Sequence, residues 1–323
     1  MEINKTLVQS LNAYINFKKD LENNKLSQAY LFLCSDKLTS KLLLEALAKL
    51  VVCKSKTAND NCDLCKKSDA GTNPDILVYP KVKNFSVEDA GDIYDKVQIK
   101  PMLGEKKVFV INNMDQATEQ AQNKMLKIIE EPPESVVFLI SGGNENKILK
   151  TIHSRVQKIY IDKFDKDILK SILSCDDNIK EIAVFNGDGY LGKTLDIATN
   201  DEFIKIYENV KNLVLNLKIS SQVPYFSNML SENRAIFETS LNLMNDFYRD
   251  ILIINSCESS NMVKNSNLLS DFETIKTEYS VKALLEILKL INKYKKMLDS
   301  NVSINTLADG ILMEILEVKF LCK

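Results

Sequence analysis

Glycine and proline are very unevenly spread along this chain, and that spread limits its possible architecture more than any other feature. Eight of the nine glycines lie between Gly71 and Gly192, and five of the six prolines between Pro74 and Pro133. Past Gly192 only Pro224 and Gly310 remain. Glycine costs a helix interior about 1 kcal/mol and proline about 3, so a tail almost without them is free to be helical throughout. The three-and-four spacing of Leu284, Leu285, Ile287, Leu288 and Ile291 supplies the apolar stripe that such helices bury. The first half is built differently. Short apolar runs at 29–33, 76–79, 108–111, 136–140 and 159–161 alternate with segments of helical spacing. This alternation predicts a parallel sheet with helices on both faces, an α/β domain.

Local signals sharpen the picture. A helix is expected over 118–131, stopped by Pro132-Pro133, because proline lacks a backbone donor and disfavours helix in the residue before it. Another is expected to start at Ser86, whose hydroxyl can cap while Asp89 stands at the third helical position. Three short amphipathic segments between 164 and 200, interrupted by Asp176-Asp177 and by Gly187-Asp188-Gly189, predict a small helical module.

At 323 residues, 45% hydrophobic and 27% charged, the chain has room for two or three ordinary globular domains. A formal charge of −2 excludes a strong basic field, so capture of DNA phosphates by this chain alone is not expected. No stretch approaches the roughly 18 uninterrupted apolar residues of a membrane span, and the first residues lack a basic-then-apolar signal pattern. The expectation is a cytoplasmic protein with no membrane role. Of the 42 basic residues only Arg155, Arg234 and Arg249 are arginine, and lysine cannot reproduce the bidentate guanidinium fork. The seven cysteines are an odd number, unsuited to a disulfide framework.

Two motifs carry a family resemblance. The run Gln120-Ala121-Gln122-Asn123-Lys124-Met125-Leu126-Lys127-Ile128-Ile129-Glu130-Glu131-Pro132-Pro133 is followed about twenty residues later by Thr151-Ile152-His153-Ser154-Arg155-Val156. In order and spacing they resemble the signatures of the AAA+ clamp-loader subunits of bacterial DNA polymerase III. The resemblance covers about residues 26–200. It implies an α/β AAA+ module over 1–163 with a cysteine-cluster insertion at 53–68, a helical lid over 164–203, and an all-α collar domain over 204–323. Its implied partners are the tau/gamma and delta clamp-loader subunits and, through the assembled complex, the sliding clamp and primed DNA.

The same resemblance marks where nucleotide chemistry would sit. A P-loop needs glycines so that backbone N–H groups can close around phosphates, a lysine for the outer phosphates and a hydroxyl for magnesium. Here the first strand is followed by Cys34-Ser35-Asp36-Lys37-Leu38-Thr39-Ser40-Lys41, with no glycine, a carboxylate at Asp36 and Ser40 in place of the lysine. The third strand ends in Asn112-Asn113, where Walker B carboxylates would hold the metal shell. Gly192 stands where active subunits carry a sensor arginine. No ATP is therefore expected to bind this subunit.

Arg155 is the opposite case. In the family this arginine reaches the nucleotide site of the adjacent subunit as an arginine finger, with Ser154 supporting the loop. A permanently charged donor fork suits the spreading negative charge of a transferring phosphoryl group. The alternative is a structural arginine paired with a local carboxylate. Val156 replaces the usual cysteine and is expected to point into the core, and His153, the one histidine, to pack locally.

Cys53, Cys62 and Cys65, followed by Ser68, have the spacing of a four-cysteine zinc site with its last thiolate replaced. They precede Asn73-Pro74-Asp75, similar to the family's pattern after its zinc module. Either zinc is held by three thiolates with Asp69 or water completing the shell, or the metal has been lost. Two further functional readings remain open beside the non-catalytic clamp-loader stator: an active ATPase of the tau/gamma kind, and an AAA+-fold scaffold or adaptor outside replication.

Overall fold

The computed structural model describes residues 5–58, 62–256, 262–298 and 302–322. Its contacts divide the chain into two compact units: residues 1–165 together with Tyr190–Gly192, and residues 166–189 together with 193–323.

The first unit runs α1 (Asn12–Glu22), β1 (Ala29–Leu33), α2 (Lys37–Val52), α3 (Asp63–Asp69), β2 (Ile76–Tyr79), α4 (Val87–Val97), β3 (Lys107–Ile111), α5 (Glu119–Glu130), β4 (Val136–Gly142), α6 (Lys150–His153) and β5 (Gln157–Tyr160). All five strands are parallel, in the order β2-β3-β4-β1-β5. The three inner strands are buried along their whole length, which is why they read as unbroken apolar runs.

Side chains alternate between the two faces. Leu31, Phe109, Ile111, Phe138 and Ile140 enter one core with Ala90 and Ile93 of α4 and Met125 and Ile128 of α5. Across β3 and β4, Phe109 is in register with Phe138 and the rings stack at 5.2 Å. On the other face Tyr30 and Phe32 meet Phe17 of α1, at 4.9 and 6.3 Å between ring centres, and α2 packs across β3 and β4.

Two helix starts follow directly from the sequence. Ser86 and Asp89 form a reciprocal capping box at α4, and Thr118 caps α5 by accepting from the Ala121 N–H. β5 begins at Gln157, two residues before the expected 159. It is an edge strand with Gln157, Lys158 and Tyr160 exposed, so its pattern is not apolar.

The second unit begins with three short helices, α7 (Lys166–Ile172), α8 (Asp177–Asn186) and α9 (Leu191–Ala198), of which α9 starts on the Tyr190–Gly192 segment. It continues with α10 (Asp201–Asn216), α11 (Val223–Leu230), α12 (Arg234–Ser256), α13 (Leu269–Ile275), α14 (Val281–Met297) and α15 (Ile304–Leu321). The long α12 is central, packing against α10 and α14, while α15 lies against α11 and α14. Phe247 of α12 joins Tyr207 and Phe272 at 5.2 and 5.6 Å. Asp250, fully buried, accepts from the Lys264 and Asn265 N–H groups at 2.9 and 2.8 Å and from Asn265 Nδ2 at 2.9 Å. Lys264 bridges Asp246 at 2.7 Å and Asp188 at 3.0 Å. Burial works against its charge, but the two carboxylates outweigh it and raise the Lys264 pKa. Among the described residues no helix is long and apolar enough to cross a membrane.

In the first unit one buried carboxylate organises the approach to β3. Asp75, with no exposed surface, accepts from three successive backbone N–H groups, Met102 at 2.6 Å and Leu103 and Gly104 at 2.8 Å each. A hydrogen bond to a charged group contributes about 1.5–3 kcal/mol, and these three donors sit in a part-buried loop that water reaches in part once the carboxylate is gone. Asp75→Ala is therefore expected to lose about 3 kcal/mol or more, read as a lower urea midpoint at unchanged slope.

Candidate functional site

Parallel α/β sheets place ligands at the carboxyl ends of their strands, where the strand order reverses. In this chain that edge is formed by the β1–α2 connection and the ends of β3 and β4. The connection has only three residues, Cys34, Ser35 and Asp36, between Leu33 and Lys37. Of the eight positions 34–41 that match the P-loop motif, five are already helical, and none is the glycine that would let backbone close around a phosphate. Ser40, at the position of the P-loop lysine, is buried, and its Oγ donates to the Asp36 carbonyl at 3.0 Å. Lys37 and Lys41 are exposed.

Asp36 occupies the N-cap of α2 but caps none of that helix's own N–H groups. Its Oδ2 accepts instead from Thr39 Oγ1 at 2.5 Å and from the Gly192 N–H at 2.8 Å. The end of β3 is bonded internally on its donor side. The Asn112 N–H and Nδ2 both donate to the Tyr79 carbonyl, at 2.9 and 3.3 Å, while its Oδ1 is buried without a hydrogen-bond partner among the described residues. Asn113 has a left-handed φ of 56°, which asparagine tolerates, and its N–H donates to Ser141 Oγ at 3.1 Å. Asp115, not singled out by the sequence, accepts from the Gly143 and Asn144 N–H groups at 3.0 and 3.2 Å and so holds the loop after β4.

Arg155 lies away from these contacts, exposed just beyond α6. Its Nη1 donates to the Thr151 carbonyl at 3.0 Å and to Ser154 Oγ at 3.3 Å, and its Nη2 pairs with Glu130 Oε1 at 2.9 Å. The guanidinium is thus braced by its own motif and by the last residue of α5, so the two signature segments meet in space. Both partners stay wet: the side chains are 32% and 55% exposed. Glu130 belongs to the signature run, yet nothing in its spacing announces a partner 25 residues away. Val156 packs against the α4–α5 core. His153 Nε2 lies 3.2 Å from the Glu145 carbonyl. Lys158 and Tyr160 hydrogen-bond the Glu145 carboxylate and hold its pKa below the usual range.

The cysteine sulfurs of Cys53, Cys62 and Cys65 lie within 4.8 Å of one another. A zinc ion with bonds of about 2.3 Å to sulfur in tetrahedral array needs sulfurs roughly 3.8 Å apart, so the donor set fits with a small contraction. Cys62 Sγ accepts from the Cys65 N–H at 3.4 Å. Ser68, at the place of the lost thiolate, and Asp69, the suggested fourth ligand, are both engaged elsewhere. Ser68 Oγ donates to the Leu64 carbonyl at 2.7 Å and accepts from Asn73 Nδ2 at 3.1 Å, and Asp69 pairs with Lys49 at 2.7 Å.

Residues 10–165, nearly the whole of the α/β portion, match a family model described as DNA polymerase III, delta subunit. Over those residues, just under half of the chain, it is similar to that family. Along most of its length it is similar to the DNA polymerase III subunit delta' of Bacillus subtilis, 24% identical over 318 residues that cover 92% of this chain and 93% of the relative. The DNA polymerase III subunit tau/gamma of Haemophilus influenzae is 30% identical over 149 residues, 45% of this chain but 22% of that longer protein. A solved gamma subunit-related protein from Thermotoga maritima aligns over 94% of this chain and 99% of its own, at 19% identity and a TM-score of 0.45.

The Asp36 carboxylate also leaves a chemical trace on its neighbour. Burial pushes the Cys34 thiol above the ordinary cysteine range, the Asp36 N–H at 3.4 Å from its sulfur pulls the other way, and the Asp36 charge adds to the upward push. Since the thiolate is the reactive form, iodoacetamide at pH 8 is expected to label Cys34 more slowly than a free cysteine. Asp36→Asn should speed that labelling, as followed by peptide mass spectrometry.

Proposed function

We propose that this chain is a delta-prime-type, non-catalytic stator of the clamp loader, which lends Arg155 to the ATP site of a neighbouring tau/gamma subunit during sliding-clamp loading. The observation that carries the reading is the contrast between the two ends of the α/β unit. Its own ligand edge is closed by a short glycine-free connection and internal hydrogen bonds, whereas the Arg155 guanidinium is exposed and held in place by Thr151, Ser154 and Glu130. In this reading residues 1–163 act as the AAA+ α/β domain, 164–203 as the lid and 204–323 as the collar that joins the other subunits of a cytoplasmic hetero-oligomer. The chain binds no ATP, and the clamp and primed DNA are met through the assembled complex.

The Glu130 pair does not obstruct the role. An exposed ion pair contributes about 0–1 kcal/mol, far less than the charge-assisted, bidentate contacts a polyphosphate offers a guanidinium. In a complex reconstituted with tau/gamma and delta subunits, Arg155→Ala is expected to leave assembly intact and to lower DNA-stimulated ATP turnover roughly tenfold or more, since a finger is worth about 10³–10⁵ at its own site. Arg155→Lys should recover little of the loss. Turnover unchanged in the alanine variant would remove the finger role, and micromolar ATP binding by the isolated chain would favour an active ATPase instead.

The same reading gives Cys53, Cys62 and Cys65 a structural zinc, held as thiolates. Zinc there would supply a cross-link between the start of α3 and the end of α2 and no catalysis. Elemental analysis of the purified chain is expected to return about one zinc per molecule, falling to background in Cys62→Ser with a lower melting temperature. Background zinc in the unaltered chain would retire the site.

A further inference from the structure

The carboxylate of Asp36 and the missing side chain of Gly192 are two halves of one contact. Both belong to the first compact unit, which includes Tyr190–Gly192, although 156 positions separate them in sequence. Gly192 lies in the first turn of α9, where backbone N–H groups have no partner within the helix. One of those donors is satisfied by Asp36 Oδ2 at 2.8 Å.

Backbone conformation does not demand glycine at 192, because the positive-φ glycines are Gly71 and Gly189. Space does. A Cβ at Gly192 would overlap Asp36 Oδ1 and would lie 3.2 Å from Asp36 Cγ and 3.1 Å from the Leu38 Cβ. Asp36 for its part gives up the usual task of an N-cap aspartate on its own helix. Its charge stands instead at the N-terminal ends of both α2 and α9, where helix dipoles favour an anion.

We propose that Asp36 is a built-in anion that latches the Tyr190–Gly192 segment onto the β1–α2 connection, holding it closed with no ligand bound, and that position 192 is glycine because the latch requires that approach. The latch stands on these contacts and is independent of any role for Arg155.

A double-mutant cycle on the full-length chain tests it. Asp36→Ser keeps a good N-cap for α2 but is too short to reach Gly192, whereas Asp36→Asn keeps an acceptor of the same length. By hydrogen-exchange mass spectrometry, Asp36→Ser should speed exchange in the peptide containing Gly192 by roughly tenfold to a hundredfold, the range for losing a hydrogen bond to a charged group. Asp36→Asn should retain most of the protection. Gly192→Ala alone should lower the melting temperature by about several degrees. In the Asp36→Ser background it should cost clearly less, the remainder reflecting Leu38. Unchanged exchange in Asp36→Ser, or melting shifts that simply add across the cycle, would overturn the latch.

Discussion

Helix N-termini aimed at the carboxyl edge of a parallel sheet create a demand for negative charge there, and the way that demand is met shapes the rest of this molecule. Orphan N–H groups and the helix dipole make the spot an anion site in any α/β protein built this way. In this chain the anion is covalently part of the protein. Asp36 takes the Gly192 N–H and the Thr39 hydroxyl, Asp115 takes the two N–H groups after β4, and Ser141 takes that of Asn113. A polyphosphate here would have to displace the Gly192, Gly143 and Asn144 N–H bonds already made to Asp36 and Asp115, whereas the first turn of α2 has no side-chain cap. The asparagines at the end of β3 fit the same logic, since they add no charge for a metal to neutralise.

Much of this was legible in the sequence, and the reason is burial. Inner strands covered on both faces must be apolar throughout, so β1 and β3 appear as runs whose ends match the structure to within a residue. The Pro132-Pro133 stop and the Ser86–Asp89 box act within a few residues and need no tertiary context. What escaped was long-range or polar. β5 hides behind exposed Gln157 and Lys158. Asp75 reads as an ordinary loop aspartate until the fold brings it under the Met102–Gly104 backbone. Lys264 joins Asp188 and Asp246 across stretches with no shared pattern. The loss of glycine from the loop was visible at once, but the coupling of Asp36 to Gly192 required both segments in one frame. Asp69 was a reasonable fourth ligand beside three cysteines on spacing alone, and its pairing with Lys49 appears only in three dimensions.

The contrast between Asp36 and Arg155 is therefore one of solvation as much as of charge. The contacts of Asp36 lie in a sheltered corner, bonded to backbone and to a buried hydroxyl, where exchanging partners is expensive. Arg155 is tied to Glu130 in the open, where water already screens the pair and both groups can be rehydrated or re-partnered at small cost. In the proposed finger role, a residue that acts on a neighbour's phosphate has to be restrained enough to point outward without being committed to its local partner. Two neutral acceptors from its own turn, Thr151 and Ser154, and one exposed carboxylate meet that condition. A buried pair with Glu130 would have opposed any such exchange by several kcal/mol. The same guanidinium with no brace at all would have lost rotamer entropy of up to about 2 kcal/mol on engagement. The observed geometry falls between those limits, and it does so at the one arginine in the chain that the signature motif supplies.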